Sequence, residues 1–423
     1  MAGPARTTAL SPQDALSVLL VGFTVPDSVI REICRVDKYM PIQTHKLSWS
    51  ILRGLELSGC NVSAVSSLPI QPFPQHPLMF IRGELWKRGG DRTIQSTSFV
   101  NLVAIRHITR FLSILRLIGT WAWQIRNDRR KVMLVYSIHS AHLCAALCVG
   151  ASLRIPTVIV ITDPPTSHLP GEGLLTRWLR WIDRAVIDRF VRRTRGIVGV
   201  ADELRSFAPG LPFLRMEGIA NTDDFPQVTG ERSGGDGTEH PEKPVVFVYA
   251  GALEPEYGVS LLLDAFSHLS RVDCRLWIAG KGTFEGAVRA AAVKNERIIY
   301  LGYLASNDLR LHLAKAHFLV NARPAYASFA QQTFPSKILQ YLATGKPVIS
   351  TRLPGIPPEY WNHLIPIDDE RPEAVAELFS VLATAPYEPF RRRGLVGLEF
   401  VLRDKSEPAQ GMRLAAFLRS VTA

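Results

Sequence analysis

Cysteine is scarce: five in 423 residues. Cys34, Cys60 and Cys274 are scattered, and Cys144 and Cys148 sit four apart inside an apolar helical run, where packing is the simpler role. No Cys-x-x-Cys pair and no Cys/His cluster has zinc spacing. A disulfide framework and a structural zinc are therefore excluded, and a reducing compartment fits. Long hydrophobic runs are missing too. No window of eighteen apolar residues is free of charge, so no transmembrane helix is expected. The opening "MAGPARTTALSPQDA" is polar and has none of the apolar core of a signal peptide. There is no short-period repeat and no Asp-x-Asp signature; Asp223-Asp224 and Asp368-Asp369 read as turn carboxylates. Acidic residues are outnumbered, 38 against 49 Lys and Arg, and the resulting +11 suits nucleic acid, an anionic membrane surface or a phosphorylated small molecule.

What is present points to two globular domains. The chain is too long for one ordinary core, and 47% apolar with 21% charged residues is a folded composition. "LSVLLVGF" reads as a buried strand ending at Gly22, "HKLSWSILRGLELSG" as a helix and "CNVSAVSS" as the next strand. "KVMLVYSIHS", "IPTVIVITD" and "RGIVGVA" continue the strand series with helical segments between them. Short apolar runs alternating with helices predict a parallel sheet covered on both faces. Residues 226–244, rich in Gly, Pro and charge, have neither period and read as a linker. The alternation restarts at "PVVFVYAG" and continues through "CRLWIAGKG", "IIYLGY", "HFLVNARP" and "PVISTRL". The expected architecture is α/β: two doubly wound, Rossmann-like domains facing across a cleft, residues 1–225 and 245–400, with the tail 401–423 a helix packing back towards the first. Ligands bind at strand carboxyl ends in such sheets.

"FPSKILQYLATGKPVIS", residues 334–350, holds the densest chemistry. Thr333 fits an N-cap and Pro335 the first turn, with Gly345 and Pro347 closing the helix. Ile338, Leu339, Tyr341 and Leu342 supply packing, which leaves Ser336, Lys337 and Gln340 on another face. A helix N-terminus with a lysine beside it favours an anion. A diphosphate at the tip with a sugar hydroxyl pair near Gln340 would satisfy the face; a solvated helix end with a surface lysine is the alternative. Arg323, after "VNA", can point to the same place. Glycine-rich turns follow two strands of this domain: Gly251-Ala252 in "YAGALEPEYGVS" and Gly280-Lys281-Gly282 in "AGKG". Gly302 and Tyr303, after "IIYL", complete the donor-side set.

These segments, with "LPGIPPEY", resemble the family 4 glycosyltransferases of the GT-B fold over nearly all of residues 245–380. The Phe-Pro-Ser-Lys motif and its neighbours look like a bacterial branch that builds surface polysaccharides. The resemblance implies retaining transfer of a sugar from a nucleotide diphosphate donor, bound by the second domain, to a glycan or polyprenyl-linked acceptor on the first. It also implies a cytoplasmic protein, peripheral at the inner face of the plasma membrane, with no metal or other cofactor. The family commonly carries two glutamates separated by seven residues; here those positions are Gln332, near the donor sugar, and Gln340, at the ribose. The family's Arg and Lys around the first donor-domain turn fall on Ala252 and Tyr257, so Lys337 and Arg323 are the cations left to meet the diphosphate. These departures keep two other readings open: a catalytically weakened GT-B binding or assembly protein, and a sugar-nucleotide epimerase.

On the acceptor side, Asp163 ends the strand "IPTVIVIT", where it either faces the acceptor or caps its loop. His139, after "LVYSI", is a second strand-end candidate or a structural histidine. Gly22 either admits a close-approaching loop or simply makes a turn. Two basic, aromatic stretches, 99–131 and 174–196, read as amphipathic helices for an anionic bilayer surface or as core helices with a solvated basic face. No nucleic-acid module accompanies them, so nucleic acid is not an expected partner.

Overall fold

The computed structural model describes residues 15–37, 42–88, 92–103, 105–136, 138–162, 174–220, 243–326, 330 and 332–422. Nearly all of the 226–244 segment, and Asp163, lie outside them. The chain divides into two compact units, residues 1–219 with 407–423, and residues 220–406.

In chain order the first unit runs β1 (Ser17–Gly22), α1 (Asp27–Val36), α2 (Ile42–Leu57), β2 (Asn61–Ser66), β3 (Phe80–Ile81), β4 (Leu85–Lys87), β5 (Thr93–Ser96) and β6 (Phe99–Val100). It continues through α3 (Arg106–Gln124), β7 (Lys131–Tyr136), α4 (Ser140–Leu153), β8 (Thr157–Ile161), α5 (Leu174–Val191), β9 (Gly196–Gly199) and β10 (Phe213–Arg215). The second unit holds β11 (Val245–Ala250), α6 (Val259–His268), β12 (Cys274–Ala279), α7 (Glu285–Lys294), β13 (Ile298–Gly302), α8 (Ser306–Ala314) and β14 (Phe318–Asn321). After these come α9 (Lys337–Leu342), β15 (Val348–Thr351), β16 (Leu364–Ile367), α10 (Pro372–Thr384) and α11 (Glu388–Phe400), and α12 (Glu407–Thr422) returns to the first unit.

The first unit is built on an eight-stranded sheet in the order β10-β9-β8-β7-β1-β2-β5-β4. Every neighbouring pair is parallel except the edge pair β4–β5. β1 carries β2 on one side, Ser17 opposite Asn61, and β7 on the other, Ser17 opposite Lys131. Strand order thus reverses direction at β1. Leu16, Val18 and Leu20 pack with Ile51, Leu52 and Leu55 of α2 and with Leu414 and Leu418 of α12. Two glycines make that helix pair close: a Cβ on Gly54 would stand 3.1 Å from the Gly411 Cα and collide harder with Glu407 O. Ser50 then donates to Glu407 Oε1 at 2.9 Å, which joins the tail helix to α2. The edge hairpin around β4 and β5 has no counterpart in the sequence reading, because its strands are too short to show a period.

The second unit is a six-stranded, all-parallel sheet in the order β13-β12-β11-β14-β15-β16. Its central strand β11 is buried along its whole length, the reason "VVFVYA" is uniformly apolar. Phe247 stacks on Phe318 and Phe379 at 5.3 and 4.4 Å between centroids, an aromatic centre under β11 and β14. The chain leaves β11 towards β12 and β13, then returns to build β14, β15 and β16 on the other side. This order puts a topological switch point between β11 and β14, where the loops leave in opposite directions and open a crevice at their carboxyl ends.

Candidate functional site

The second unit's switch point is assembled from the loop after β11, the end of β14 and α9. At Gly258 the backbone is left-handed (φ 80°), and a Cβ there would run into the Ala322 carbonyl. Only glycine lets the first loop lie against the end of β14, and that contact brings Tyr257 under Arg323, whose guanidinium carbon is 5.2 Å from the ring centroid. Arg323 is almost fully buried. On α9, Lys337 and Tyr341 are four apart and share the face turned to β11. The Tyr341 hydroxyl accepts from Ala250 N–H at 2.8 Å and donates to Ala250 O at 3.1 Å, fixing the helix on the strand end.

That anchor delivers Lys337. Its Nζ is buried, lies 4.0 Å from the centroid of the Tyr249 ring and 5.9 Å from that of Tyr257, and has no hydrogen-bond partner among the described residues. The Gly251 backbone passes beneath it: a Cβ on Gly251 would collide with the amine. Burial, with the Arg323 charge adding to it, brings the Lys337 pKa down to about 7. The Tyr249 hydroxyl donates to Ala252 O at 2.7 Å, and burial pushes its own pKa well up, so the ring stays neutral beneath the amine. Two cations therefore converge on one aromatic-walled crevice, and one of them holds no bonding partner among these residues. A buried, unpartnered ammonium is costly, and an anionic ligand relieves that cost.

Several expectations need correction. α9 is six residues long and begins at Lys337, with Ser336 as its cap and no side-chain capping bond. Thr333 is not the N-cap, and so short a helix offers little N-terminal dipole; the positive character comes from the Lys337 side chain itself. Lys337 pairs with Tyr341 on the inner face rather than with Ser336, which is exposed; Gln340 is half-buried and Gln332 exposed. Gly280 and Gly282 are required by the packing of neighbouring loops. A Cβ at Gly280 would strike Gly251 O, and one at Gly282 would strike Leu253 O. They let neighbouring loops touch, as do the bonds Leu253 N–H to Lys281 O at 2.9 Å and Gly280 N–H to Gly302 O at 2.9 Å. Glu254 clasps the Thr283 N–H and hydroxyl. Gly302 is left-handed (φ 72°) with open space beyond it. Lys281 lies 5.0 Å from the Tyr303 centroid, both at the surface.

In the first unit, Gly22 packs against the end of β7: a Cβ there would stand 3.1 Å from both Tyr136 Cβ and Tyr136 O. This is that sheet's own switch point. His139 stacks on His107 at 5.0 Å between centroids, meets His142 edge-on at 4.8 Å and Phe23 at 5.7 Å. Burial holds His139 well below the usual imidazole range and His142 down at about 3, with Arg110 adding to both. His142 reaches Ser67 Oγ at 3.2 Å. His139 is thus one of a neutral imidazole cluster. His107 and Tyr249 went unread because their neighbours lie on other elements and leave no spacing signal; His142, three residues after His139 at the start of α4, carried a helical spacing that the sequence reading passed over.

Comparison with known proteins bears on the same residues. Residues 244–384 match the family model "Glycosyl transferases group 1". A stretch of 156 residues is 29% identical to the GDP-mannose-dependent alpha-(1-6)-phosphatidylinositol dimannoside mannosyltransferase of Mycobacterium tuberculosis. It covers 35% of this chain and 38% of that protein, so the chain spans under two-fifths of the curated relatives it matches. Among solved structures, sucrose-phosphate synthase from Thermosynechococcus elongatus superposes with a TM-score of 0.61 at 14% identity, covering 96% of this chain and 99% of that one. Anabaena Alr3699/HepE in complex with UDP gives 0.56 at 12% identity, covering 96% and 100%. At these identities the likeness shows the fold: GT-B, two Rossmann-like domains.

Proposed function

We propose, from the match of residues 244–384 to the glycosyl transferases group 1 family model, that this chain transfers a sugar from a nucleotide diphosphate donor to a glycan or lipid-linked acceptor, with retention at the anomeric carbon, in the synthesis of surface polysaccharide. The observation that carries the reading is the Lys337 amine, buried over Tyr249 and Gly251 with Arg323 beside it. The donor diphosphate lies against this pair. Departure of the nucleoside diphosphate builds negative charge there, and preorganised cations in a dry crevice stabilise charge as it develops. Gln340 takes the ribose hydroxyls and Gln332 the donor sugar; both are neutral, so each hydrogen bond is weaker than a carboxylate's. The diphosphate charge is met by side chains, and the reading calls for no metal.

A bilayer surface is the second part of the proposal. Ile108 and Leu112 on α3 and Trp178 and Trp181 on α5 are all more than half exposed. The two helices meet where His107 Nδ1 lies 3.7 Å from Asp183 and Ser140 donates to the same carboxylate. Arg116 on α3 and Arg177 on α5 are exposed as well. Indole rings with arginines suit an anionic headgroup layer, and a lipid-linked acceptor would be met there. Among the described residues no helix is long and apolar enough to cross a membrane.

Calorimetry with GDP-mannose, UDP-glucose and dTDP-glucose tests the donor. GDP-mannose comes first because it is the donor named for the mycobacterial relative. Binding by at least one is expected, weakened in Lys337→Ala by about 1.5–3 kcal/mol. No heat from any of them with a folded protein defeats the reading. Flotation with vesicles containing anionic lipid tests the surface: Trp178→Ala with Trp181→Ala should leave the protein in the aqueous fraction.

A further inference from the structure

A second recess lies in the first unit, away from its switch point, at the outer edge of the sheet. It has a volume of about 370 Å³ and is built from the start of α1, one stripe of α2 and the β4–β5 hairpin. Its lining alternates in an unusual way. Asp27 and Glu56 offer acceptors only; Arg53, Lys87 and Arg88 offer donors only; Trp86 and Ile94 are apolar. On α2, Trp49, Arg53 and Glu56 lie at helical spacing on a stripe beside the core residues Ile51, Leu52 and Leu55, with Trp49 packed against that core at its edge.

The polar groups are held in place. Arg88 Nη2 donates to Glu56 Oε1 at 2.6 Å, and the Arg53 and Arg88 guanidinium carbons stand 5.7 and 5.8 Å from the Trp49 centroid. Asp27 is fixed by His45 Nε2 at 2.7 Å. Both indole N–H groups are already used: Trp49 donates to Val25 O and Trp86 to Glu84 Oε2, each at 2.7 Å. Trp49's ring is covered by the arginines, so Trp86, half-buried, is the ring left to stack on a ligand.

We propose that this recess is a saccharide-binding subsite. Charges of both signs stand close together here: Glu56 is bridged by Arg88 and, at 3.3 Å, by Arg92, Asp27 sits on His45, and Arg53 lies 3.7 Å from Glu407, so a ligand of one charge meets like charge as well as unlike. An apolar molecule would desolvate Lys87 and the exposed parts of Asp27 and Arg53 without supplying hydrogen bonds, at a cost. Hydroxyl groups both donate and accept, so a polyol meets carboxylates and guanidinia in any order. A pyranose adds a C–H face for Trp86, and the volume falls in the range of small-ligand sites, about 300–1,000 Å³. The inference uses no residue of the second unit and stands without the transfer reaction.

The test uses the full chain, labelled on its indole nitrogens, titrated with cellobiose, maltose, lactose and α-1,6-mannobiose up to about 10 mM. At least one disaccharide should shift the Trp86 and Trp49 indole resonances and show saturation transfer from the protein. In Trp86→Ala that affinity should fall about five- to tenfold, and in Trp86→Phe, which keeps a smaller ring, about two- to threefold. Lys337→Ala, which disables the proposed donor site, should leave it unchanged. If none of the four moves either indole signal, or if binding vanishes in Lys337→Ala and survives in Trp86→Ala, the subsite does not exist.

Discussion

The Lys337 amine occupies the space that a methyl group on Gly251 would take. An added Cβ would collide with Nζ and stand 3.0 Å from Cε. Glycine at this position therefore serves the lysine, not the turn. Because the colliding atoms are the far end of a flexible side chain, Gly251→Ala should fold with a melting temperature close to the parent's. The amine must swing away, and nucleotide-sugar affinity should fall about tenfold, as expected for one lost charge-assisted hydrogen bond. Thermal melting and calorimetry on one preparation check both halves.

Donor binding should take up a proton. Lys337 titrates near 7 in the unliganded protein because burial and Arg323 disfavour its charge. A diphosphate against the amine favours the charged form and raises that pKa. Above pH 7 the free protein has lost the proton and the complex keeps it, so affinity should drop as pH rises, by up to about tenfold per pH unit. A nucleotide-sugar is the right probe, since its diphosphate diester does not titrate here. Calorimetry at pH 8 in phosphate and in Tris should give enthalpies that differ in proportion to buffer ionisation. Lys337→Arg should remove that difference.

The same lysine should cost stability. Its folded pKa of about 7 lies below the ordinary 10.5, so between those values the unfolded chain binds more protons and stability rises with pH. Below pH 7 both states are charged and the full penalty of burying the ammonium is present. Lys337→Met should stabilise the chain at pH 6 by about 1–4 kcal/mol. The gap should narrow as pH climbs from 6 to 9. Denaturant melts at three pH values check the trend; a gap that widens with pH contradicts the burial of this amine.

The tail helix should depend on its glycine. Gly411 lies against Gly54 so closely that a Cβ on it would strike the Gly54 backbone. Backbone cannot move aside as a side-chain tip can. Gly411→Leu should destabilise the first unit by about 1–3 kcal/mol and expose α12 to limited proteolysis, which mass spectrometry of the fragments would detect. Met412→Leu, at an exposed position on the same helix, is the control and should change neither.

Much of this organisation was legible from residues alone. β11 and β1 are buried on both faces, so "VVFVYA" and "SVLLVG" are continuous apolar runs that need no neighbours to be recognised. Lys337 and Arg323 were legible as cations near a strand end because glycine, proline and charge punctuate helix and loop locally. α9 was legible as a helix but not in its extent: the backbone of Thr333–Pro335 leaves the helical path, a choice made by contacts with distant loops.

The alternation of the longer strands with helices along the chain, the positions of the glycine-rich turns and the placement of two cations in one domain followed from the sequence by itself, because period and punctuation are properties of neighbours along the chain. Which face of α9 turns inward, what Gly251, Gly280 and Gly282 each make room for, and which rings surround the lysine were decided only by tertiary structure. Those contacts join Tyr249, Tyr257, Arg323 and Lys337 from two adjacent strand ends, a loop and a helix, and a close approach in space leaves no trace in the spacing of residues so far apart along the chain.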